Sequence, residues 1–114
     1  MARRYTFFML LRSMPGWLRL GRDQRQRFLA DYVRPLFARY PAVTLRFYDA
    51  EAFSGRCTDV AVFETADLQA YTFLIDSLRD TAFFSQPYFE ILDIVPAVED
   101  GYVEYDRAHG VVAA

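Results

Sequence analysis

The sequence has 114 residues, enough for one domain with a hydrophobic core. Hydrophobic residues make up 54% of it and charged residues 25%, which excludes an intrinsically disordered chain. A net charge of −2 argues against a general nucleic-acid binder. All 13 basic residues are arginine, and residues 1–56 carry a net +7 against −9 for residues 57–114. We favour a mixed surface after folding, with pairing of the two halves, within one fold or across a dimer, as the alternative.

The first segment, Tyr5 to Leu11, is short, apolar and aromatic. This pattern is typical of a strand that is buried on both faces. Arg12 interrupts the apolar run, and no stretch approaches the ~20 apolar residues of a membrane span. We therefore expect a first strand of a cytoplasmic protein without a membrane partner.

The apolar period becomes helical from about Arg22 to Tyr40. Pro35 falls inside this stretch, where its ring clashes with the carbonyl of Asp31 in a regular helix. The apolar stripe continues through the proline, so the pattern predicts one kinked helix. Pro41 ends it.

Two alternating segments follow, Val43–Asp49 and Cys57–Glu64, and each predicts a half-buried strand. Ser54 and Gly55 lie between them and form a turn signal. The two segments therefore predict an antiparallel pair with a connection of moderate length.

The second half of the chain predicts one more helix and one more strand. Thr65 is a reasonable N-cap for a helix whose apolar stripe ends at Leu78. Tyr88–Val95 predicts a fourth strand, which Pro96 ends or marks as an edge. Residues 99–106 form an acidic tail with two tyrosines that can anchor it.

The element order β-α-β-β-α-β predicts an α+β, ferredoxin-like domain with a four-stranded antiparallel sheet and two helices on one face. We expect a single domain over residues 1–114, with a core of about residues 4–98 and an acidic tail at 99–114. The uncovered face of the sheet is expected to carry Phe63, Leu92 and Ile94. Burial of that face against a second copy predicts a homodimer, a dimeric α/β barrel.

Four residues are candidates for a ligand-binding site on that sheet: Arg46, Tyr48, Asp59 and Glu90. Pairing through the Ser54–Gly55 turn is expected to set Arg46 opposite Asp59 as an ion pair. Asp59 or Glu90 could act as a general base, with Tyr48 as a further catalytic candidate, while Arg46 holds a carboxylate or enolate oxygen. The alternative, an ion-pair network at a dimer interface, is the one that we favour.

The remaining reactive residues point to no cofactor. Cys57 alone excludes an internal disulfide and is best interpreted as a small buried hydrophobic residue. His109 alone excludes a Cys₂His₂ zinc site. No P-loop, G-x-G-x-x-G or G-x-S-x-G motif occurs, so we expect no cofactor and no metal. Trp17 is predicted to anchor a loop, with a lid over a pocket as the alternative.

Several stretches together carry a family resemblance. They are Tyr5-Thr6-Phe7-Phe8-Met9-Leu10, Arg46-Phe47-Tyr48-Asp49-Ala50-Glu51-Ala52-Phe53-Ser54, Ala66-Asp67-Leu68-Gln69-Ala70-Tyr71, Tyr88-Phe89-Glu90 and Glu99-Asp100-Gly101. In these stretches the chain resembles darcynin, a small bacterial family of about this length, over nearly all of residues 4–106. The resemblance brings no established activity and no assigned catalytic residue with it.

The element order is also similar to that of the dimeric α/β-barrel group. That resemblance implies cofactor-independent monooxygenases, cyclases and isomerases of small organic molecules, or haem binding, for which this sequence lacks a suitable histidine.

Three hypotheses for the function follow from these observations. The first is a homodimer that binds a small aromatic or polyketide-like molecule. The second is a cofactor-independent oxygenase, isomerase or cyclase, and the third is a non-catalytic protein-interaction module.

Overall fold

The computed structural model of the chain describes residues 3–112. Its strands are β1 (Tyr5–Ser13), β2 (Val43–Asp49), β3 (Asp59–Thr65) and β4 (Phe89–Ala97). Its α-helices are α1 (Pro15–Leu18), α2 (Arg22–Phe28), α3 (Arg34–Arg39), α4 (Leu68–Arg79), α5 (Ala82–Ser85) and α6 (Gly101–Ala108). The sheet is antiparallel in the order β2-β3-β1-β4, which confirms the predicted ferredoxin-like fold. Within the described range, no helix is long and apolar enough to cross a membrane.

The helices cover one face of the sheet, which we call the inner face. Met9 and Leu11 of β1 and Ala61 and Phe63 of β3 are buried there with Leu74 of α4. Because successive residues of a strand point to opposite sides, the other face, here the open face, carries the residues in between. The hydrophobic core therefore lies between the inner face and the helices.

Two of the three residues expected on the open face lie on the inner face, Phe63 and Ile94. Phe63 is buried on the inner face and stacks against Phe37 at a ring-centroid distance of 6.3 Å. Ile94 is the register partner of Met9 and so shares the inner face with it. Leu92 is the additional residue of a β-bulge in β4. The expectation was wrong because an apolar residue in a short strand does not by itself show to which side it points.

The single kinked helix predicted from about Arg22 to Tyr40 consists of three consecutive helical segments in the structure. A π-helical turn, Leu29–Val33, separates α2 from α3. The turn places Pro35 in the first turn of α3, where the missing N–H would have no helical partner. The π-helical turn and the position of Pro35 at the start of α3 thus accommodate the proline within the helical stretch.

The cap of α4 differs from the expected one. Asp67 is the N-cap, and its Oδ1 accepts a hydrogen bond from the Ala70 N–H at 3.0 Å. Thr65 is fully buried and connects two elements. Its hydroxyl donates to the Ala42 carbonyl at 2.9 Å and accepts from the Asp67 N–H at 2.9 Å. Thr65 thus ends β3 and positions the residue that caps α4.

The C-terminal segment is more ordered than its composition suggests. Strand β4 continues through Pro96, which an edge strand tolerates because one side of its backbone is unpaired. The predicted acidic tail contains helix α6, which the ion pair between Arg3 and Glu104 links to the start of the chain. Tyr102 and Tyr105 are exposed and do not anchor it to the core. Residues 1, 2, 113 and 114 of the predicted domain lie outside the described range.

Candidate functional site

A cavity of about 800 Å³ lies between the inner face of the sheet and the helices. Its volume falls within the range of small-molecule sites, ~300–1,000 Å³. Its apolar walls are formed by Met9, Leu11, Trp17, Leu18, Leu29, Val33, Phe37, Leu45, Phe47, Ala61, Phe63, Leu78, Phe83, Phe84 and Phe89. Leu45 and Phe47 of the edge strand β2 are partly exposed, so the cavity opens to solvent beside that strand.

Trp17 of α1 is a fixed wall of this cavity. Its ring packs against Phe28, Tyr88 and Phe89 at centroid distances of 6.0, 5.5 and 5.1 Å. The Arg25 guanidinium lies 5.9 Å from the Trp17 ring centroid and donates to the carbonyls of Trp17 and Leu18. These contacts agree with the predicted anchoring role of Trp17 and argue against a mobile lid.

Charged side chains of both signs line the same cavity. Arg22 and Arg25 come from α2 and Arg34 from α3, while Asp49, Glu51 and Asp59 come from the β2–β3 end of the sheet. Over residues 3–112, ion pairs within 4.0 Å join Arg3 to Glu104 and Arg4 to Glu64, and none involves these six side chains. The cavity thus combines apolar walls with guanidinium groups that no carboxylate of the described chain neutralises.

Asp59 is the most deeply buried of these charged residues, with 8% of its surface exposed. The Thr58 hydroxyl donates to its Oδ2 at 2.7 Å. Burial raises the pKa of Asp59 to about 6 against the opposing effect of the Thr58 hydrogen bond, and the carboxylates of Asp49 and Glu51 raise the pKa further. Asp59 therefore changes its protonation state close to neutral pH.

The predicted ion pair between Arg46 and Asp59 does not form. In the β2–β3 register, Arg46 is opposite Val62, and Asp59 is opposite Asp49. The expected register was three residues away: the observed ladder ends at the Asp49–Asp59 pair and leaves residues 50–58 as a connection centred on Ser54. A register shift by an odd number of residues moves a side chain to the other face of the sheet. Asp59 and Arg46 therefore lie on opposite faces.

The other predicted site residues lie on the open face. Arg46 and Tyr48 border a shallow depression of about 570 Å³. Glu90 is opposite Arg12 of β1, so two strands separate it from Arg46. The structure thus divides the predicted cluster between two faces, with Asp59 alone in the large cavity.

The arginines and two of the acidic residues of the cavity were not predicted from the sequence. The missed residues are Arg22, Arg25, Arg34, Asp49 and Glu51. One signal could have shown two of them: positions 22, 25, 29 and 33 have helical spacing and so form one face. Arg22 and Arg34 are exposed to solvent and also line the cavity.

Cys57 and His109 take no part in the cavity. Cys57 is buried, in agreement with its interpretation as a small hydrophobic residue. His109 stacks on Tyr105 at a centroid distance of 4.0 Å, and its Nδ1 lies 2.8 Å from the Tyr105 carbonyl oxygen. Between residues 3 and 112, no group of three His, Cys, Asp or Glu side chains is arranged to hold a metal ion.

Relatives of known sequence extend over most of the chain. Darcynin 1 of Acinetobacter baumannii is 53% identical over 87 residues, which are 76% of this chain and 97% of that protein. Darcynin of Chromobacterium violaceum is 57% identical over 74 residues, which are 65% of this chain and 94% of that protein.

Solved structures share the fold at low sequence identity. Chlorite dismutase from Candidatus Nitrospira defluvii in complex with imidazole matches with a TM-score of 0.70 and 14% identity, over 90% of this chain and 43% of that chain. This chain thus spans less than half the length of that enzyme, and the likeness concerns the fold alone. The family model of darcynin, a domain of unknown function, matches residues 2–114, and the chain therefore belongs to the darcynin family.

Proposed function

We propose that this chain is a small-molecule-binding domain whose ligand occupies the cavity between the helices and the sheet. The observation that carries the proposal is the cavity itself, about 800 Å³ with aromatic and aliphatic walls. Such a volume accommodates a small aromatic or polyketide-like molecule, and burial of its apolar surface supplies the main driving force. Asp59 is the one ligand-binding residue predicted from the sequence that lines this cavity.

On the helix side of the cavity, the arginines favour an anionic group of the ligand. Arg22 and Arg34 line it, and neither forms an ion pair with another described residue. A guanidinium group binds a carboxylate through charge-assisted hydrogen bonds, which are stronger where water is partly excluded. Aromatic rings such as Trp17 and Phe89 offer flat surfaces for stacking. We therefore assign the ligand to the aromatic organic acids.

Replacement of Arg34 by glutamine is expected to weaken the binding of an aromatic carboxylate about ten-fold, or about 1.4 kcal/mol, because one charge-assisted contact is lost. Titration calorimetry with benzoate, salicylate and phenylpyruvate measures this change. Arg39→Gln is the matched control, because Arg39 lies on the same helix, is also exposed and does not line the cavity. Equal loss in both variants, or no binding of any of the three acids to the native protein, would contradict the proposal.

We also propose that the open face forms a homodimer interface. Phe8 is 39% exposed and Val95 is 47% exposed, and these two residues are register partners on neighbouring strands. Adjacent exposed apolar side chains of this size commonly mark a protein interface. A second copy of the same chain is the occupant that the charges of this face favour.

The charges of the open face are arranged for a two-fold axis parallel to the strands. Arg46 lies on the edge strand β2, and Asp93 and Glu90 lie on the opposite edge strand β4. Such an axis sets β2 of one copy over β4 of the other, so Arg46 meets a carboxylate of its partner. Arg46, Tyr48 and Glu90 are then interface residues, which was the favoured alternative from the sequence.

Charge reversal tests the orientation of this dimer. Arg46→Glu and Asp93→Arg are each expected to weaken association about ten-fold or more, because each places like charges together, and the double variant is expected to restore it. Light scattering over a dilution series measures the dissociation constant. A native protein that stays monomeric would exclude the dimer, and single variants that remain dimeric would exclude this orientation.

A further inference from the structure

Two carboxyl groups meet where the cavity reaches the end of strands β2 and β3. Asp49 and Asp59 are direct register partners across these strands, and both line the cavity. Asp59 is more than nine-tenths buried, while Asp49 is exposed at the rim. One carboxyl is thus sheltered among apolar walls, and a second one is close enough to influence its charge.

Asp59 is held in place by hydrogen bonds to its carboxyl group. Thr58 Oγ1 donates to Asp59 Oδ2 at 2.7 Å, and the same hydroxyl oxygen accepts the Ser13 N–H at 2.7 Å. This chain of hydrogen bonds connects the carboxyl to the backbone of β1. The Asp49 side chain shares a further hydrogen bond with Asp59. The carboxyl is therefore fixed in position at the wall of the cavity.

The charged groups that face Asp59 come from every neighbouring element. Asp49 and Glu51 approach from β2 and the loop that follows it, and Arg22, Arg25 and Arg34 line the same cavity from the helices. The two carboxylates disfavour ionisation of Asp59, and the arginines are too far from it for an ion pair. A buried carboxyl of this kind can take up and return a proton near neutral pH.

We propose that Asp59 is the acid–base residue of an enzyme that moves a proton at the carbon atom beside the carbonyl group of an aromatic oxo acid. The inference rests on the proposed function, because it requires the ligand to lie in the same cavity. The substrate carboxylate is bound by Arg34, and the reacting carbon lies against the carboxyl group of Asp59.

The step conserves atoms and electrons. The Asp59 carboxylate takes the proton from carbon, the electron pair of the broken C–H bond becomes the C=C bond of an enolate, and the carbonyl π pair moves onto oxygen. A cavity guanidinium stabilises the negative oxygen. Return of the proton from Asp59 to carbon restores the oxo acid, and its delivery to oxygen gives the enol. The reaction is a tautomerisation that consumes no other reactant.

Exchange of carbon-bound hydrogen in D₂O tests the proposal directly. Phenylpyruvate is the probe, and loss of its benzylic signal in the proton NMR spectrum measures the rate. We expect the native protein to accelerate the exchange and Asp59→Asn to reduce that rate about 10²-fold or more, in the range of general acid–base catalysis. Asp76→Asn, the same change at an exposed position of α4, is expected to keep the native rate.

A second variant, Asp49→Asn, tests the protonation of Asp59 independently of Asp59→Asn. The exchange rate is expected to rise through about pH 6 as Asp59 ionises. In Asp49→Asn the midpoint of this rise is expected to move to lower pH, because Asp49 is one of the groups that raise the pKa of Asp59. A change in the fold alone would alter the maximal exchange rate and leave the midpoint of the pH profile in place.

The outcomes separate this inference from the proposed function. If phenylpyruvate binds to the cavity and exchanges at the rate of buffer, the acid–base role of Asp59 is wrong and the binding function stands. If other aromatic acids bind and phenylpyruvate does not, the oxo-acid class is wrong. If no aromatic acid binds, both proposals fail together.

Discussion

At about pH 8, Asp59→Asn is expected to unfold at a higher temperature than the native protein, with a gain in the free energy of unfolding on the order of 2–3 kcal/mol. The side chain is 8% exposed, and burial is the main reason why its pKa rises from 3.8 to about 6. Asparagine has nearly the same shape and carries no charge. Its carbonyl oxygen still accepts the Thr58 hydroxyl proton, so the replacement removes the cost of a buried charge and little else.

The sign of the pH dependence follows from proton binding. Between about pH 4 and about pH 6 the folded state holds the Asp59 proton more tightly than the unfolded state does, so native stability falls as the pH rises. Below about pH 4 the proton is bound in both states, and the advantage of the variant is expected to vanish. Thermal or urea unfolding of both proteins over this range measures the difference.

Asp76→Asn provides the control for this prediction, because Asp76 is exposed on α4 and the change removes the same charge. Its effect is expected to stay within about 0.5 kcal/mol at every pH. Destabilisation by Asp59→Asn at about pH 8 would contradict the account of Asp59 as a buried carboxylate that reduces stability. Stabilisation by Asp59→Asn would fit the frequent trade-off between stability and the function proposed for Asp59.

Leu74→Ala is expected to lower the free energy of unfolding by about 3–5 kcal/mol. Leu74 is fully buried on α4 and belongs to the cluster that joins this helix to Met9 and Phe63 of the sheet. Truncation loses the transfer free energy of three carbon atoms and leaves a void that the packed sheet cannot fill. Because 1 kcal/mol corresponds to roughly 4 °C for a chain of this length, Tm is expected to fall by roughly 12–20 °C.

Leu68→Ala is the matched control, because it makes the same change on the same helix at a side chain that is 43% exposed. We expect a loss of about 1 kcal/mol or less. Calorimetry of the two variants and the native protein separates burial from helix propensity, which is the same for both. Similar values for the two variants would mean that α4 does not pack on the sheet through Leu74.

The fold could be predicted from the sequence because it depends on patterns that extend over many residues. Alternation in β2 and β3 and helical spacing in α4 each involve several side chains, so a single error does not change the element type. The element order then leaves few arrangements, of which the ferredoxin-like sheet is one. Helix α6 was missed because most of its side chains are exposed and its apolar stripe is weak.

The site was harder to predict because it depends on the register of one hairpin. In the observed register Asp59 is opposite Asp49 and not Arg46, so a carboxyl pair takes the place of the predicted ion pair. The cavity arises where α1 and α2 pack over the sheet, and local sequence patterns do not encode that spacing. Arg22 and Arg34 are exposed to solvent as well as lining the cavity, so the sequence pattern alone does not distinguish them from other surface arginines.

The most direct test of the binding function uses Trp17, the single tryptophan of the chain and a wall of the cavity. Its indole N–H gives one isolated signal in a proton–nitrogen correlation spectrum. Titration with phenylpyruvate is expected to shift this signal saturably, together with the amide signals of Leu11 and Ala61. Shifts confined to open-face residues such as Phe8 and Arg46 would contradict the account, because they would place the ligand on the opposite side of the sheet.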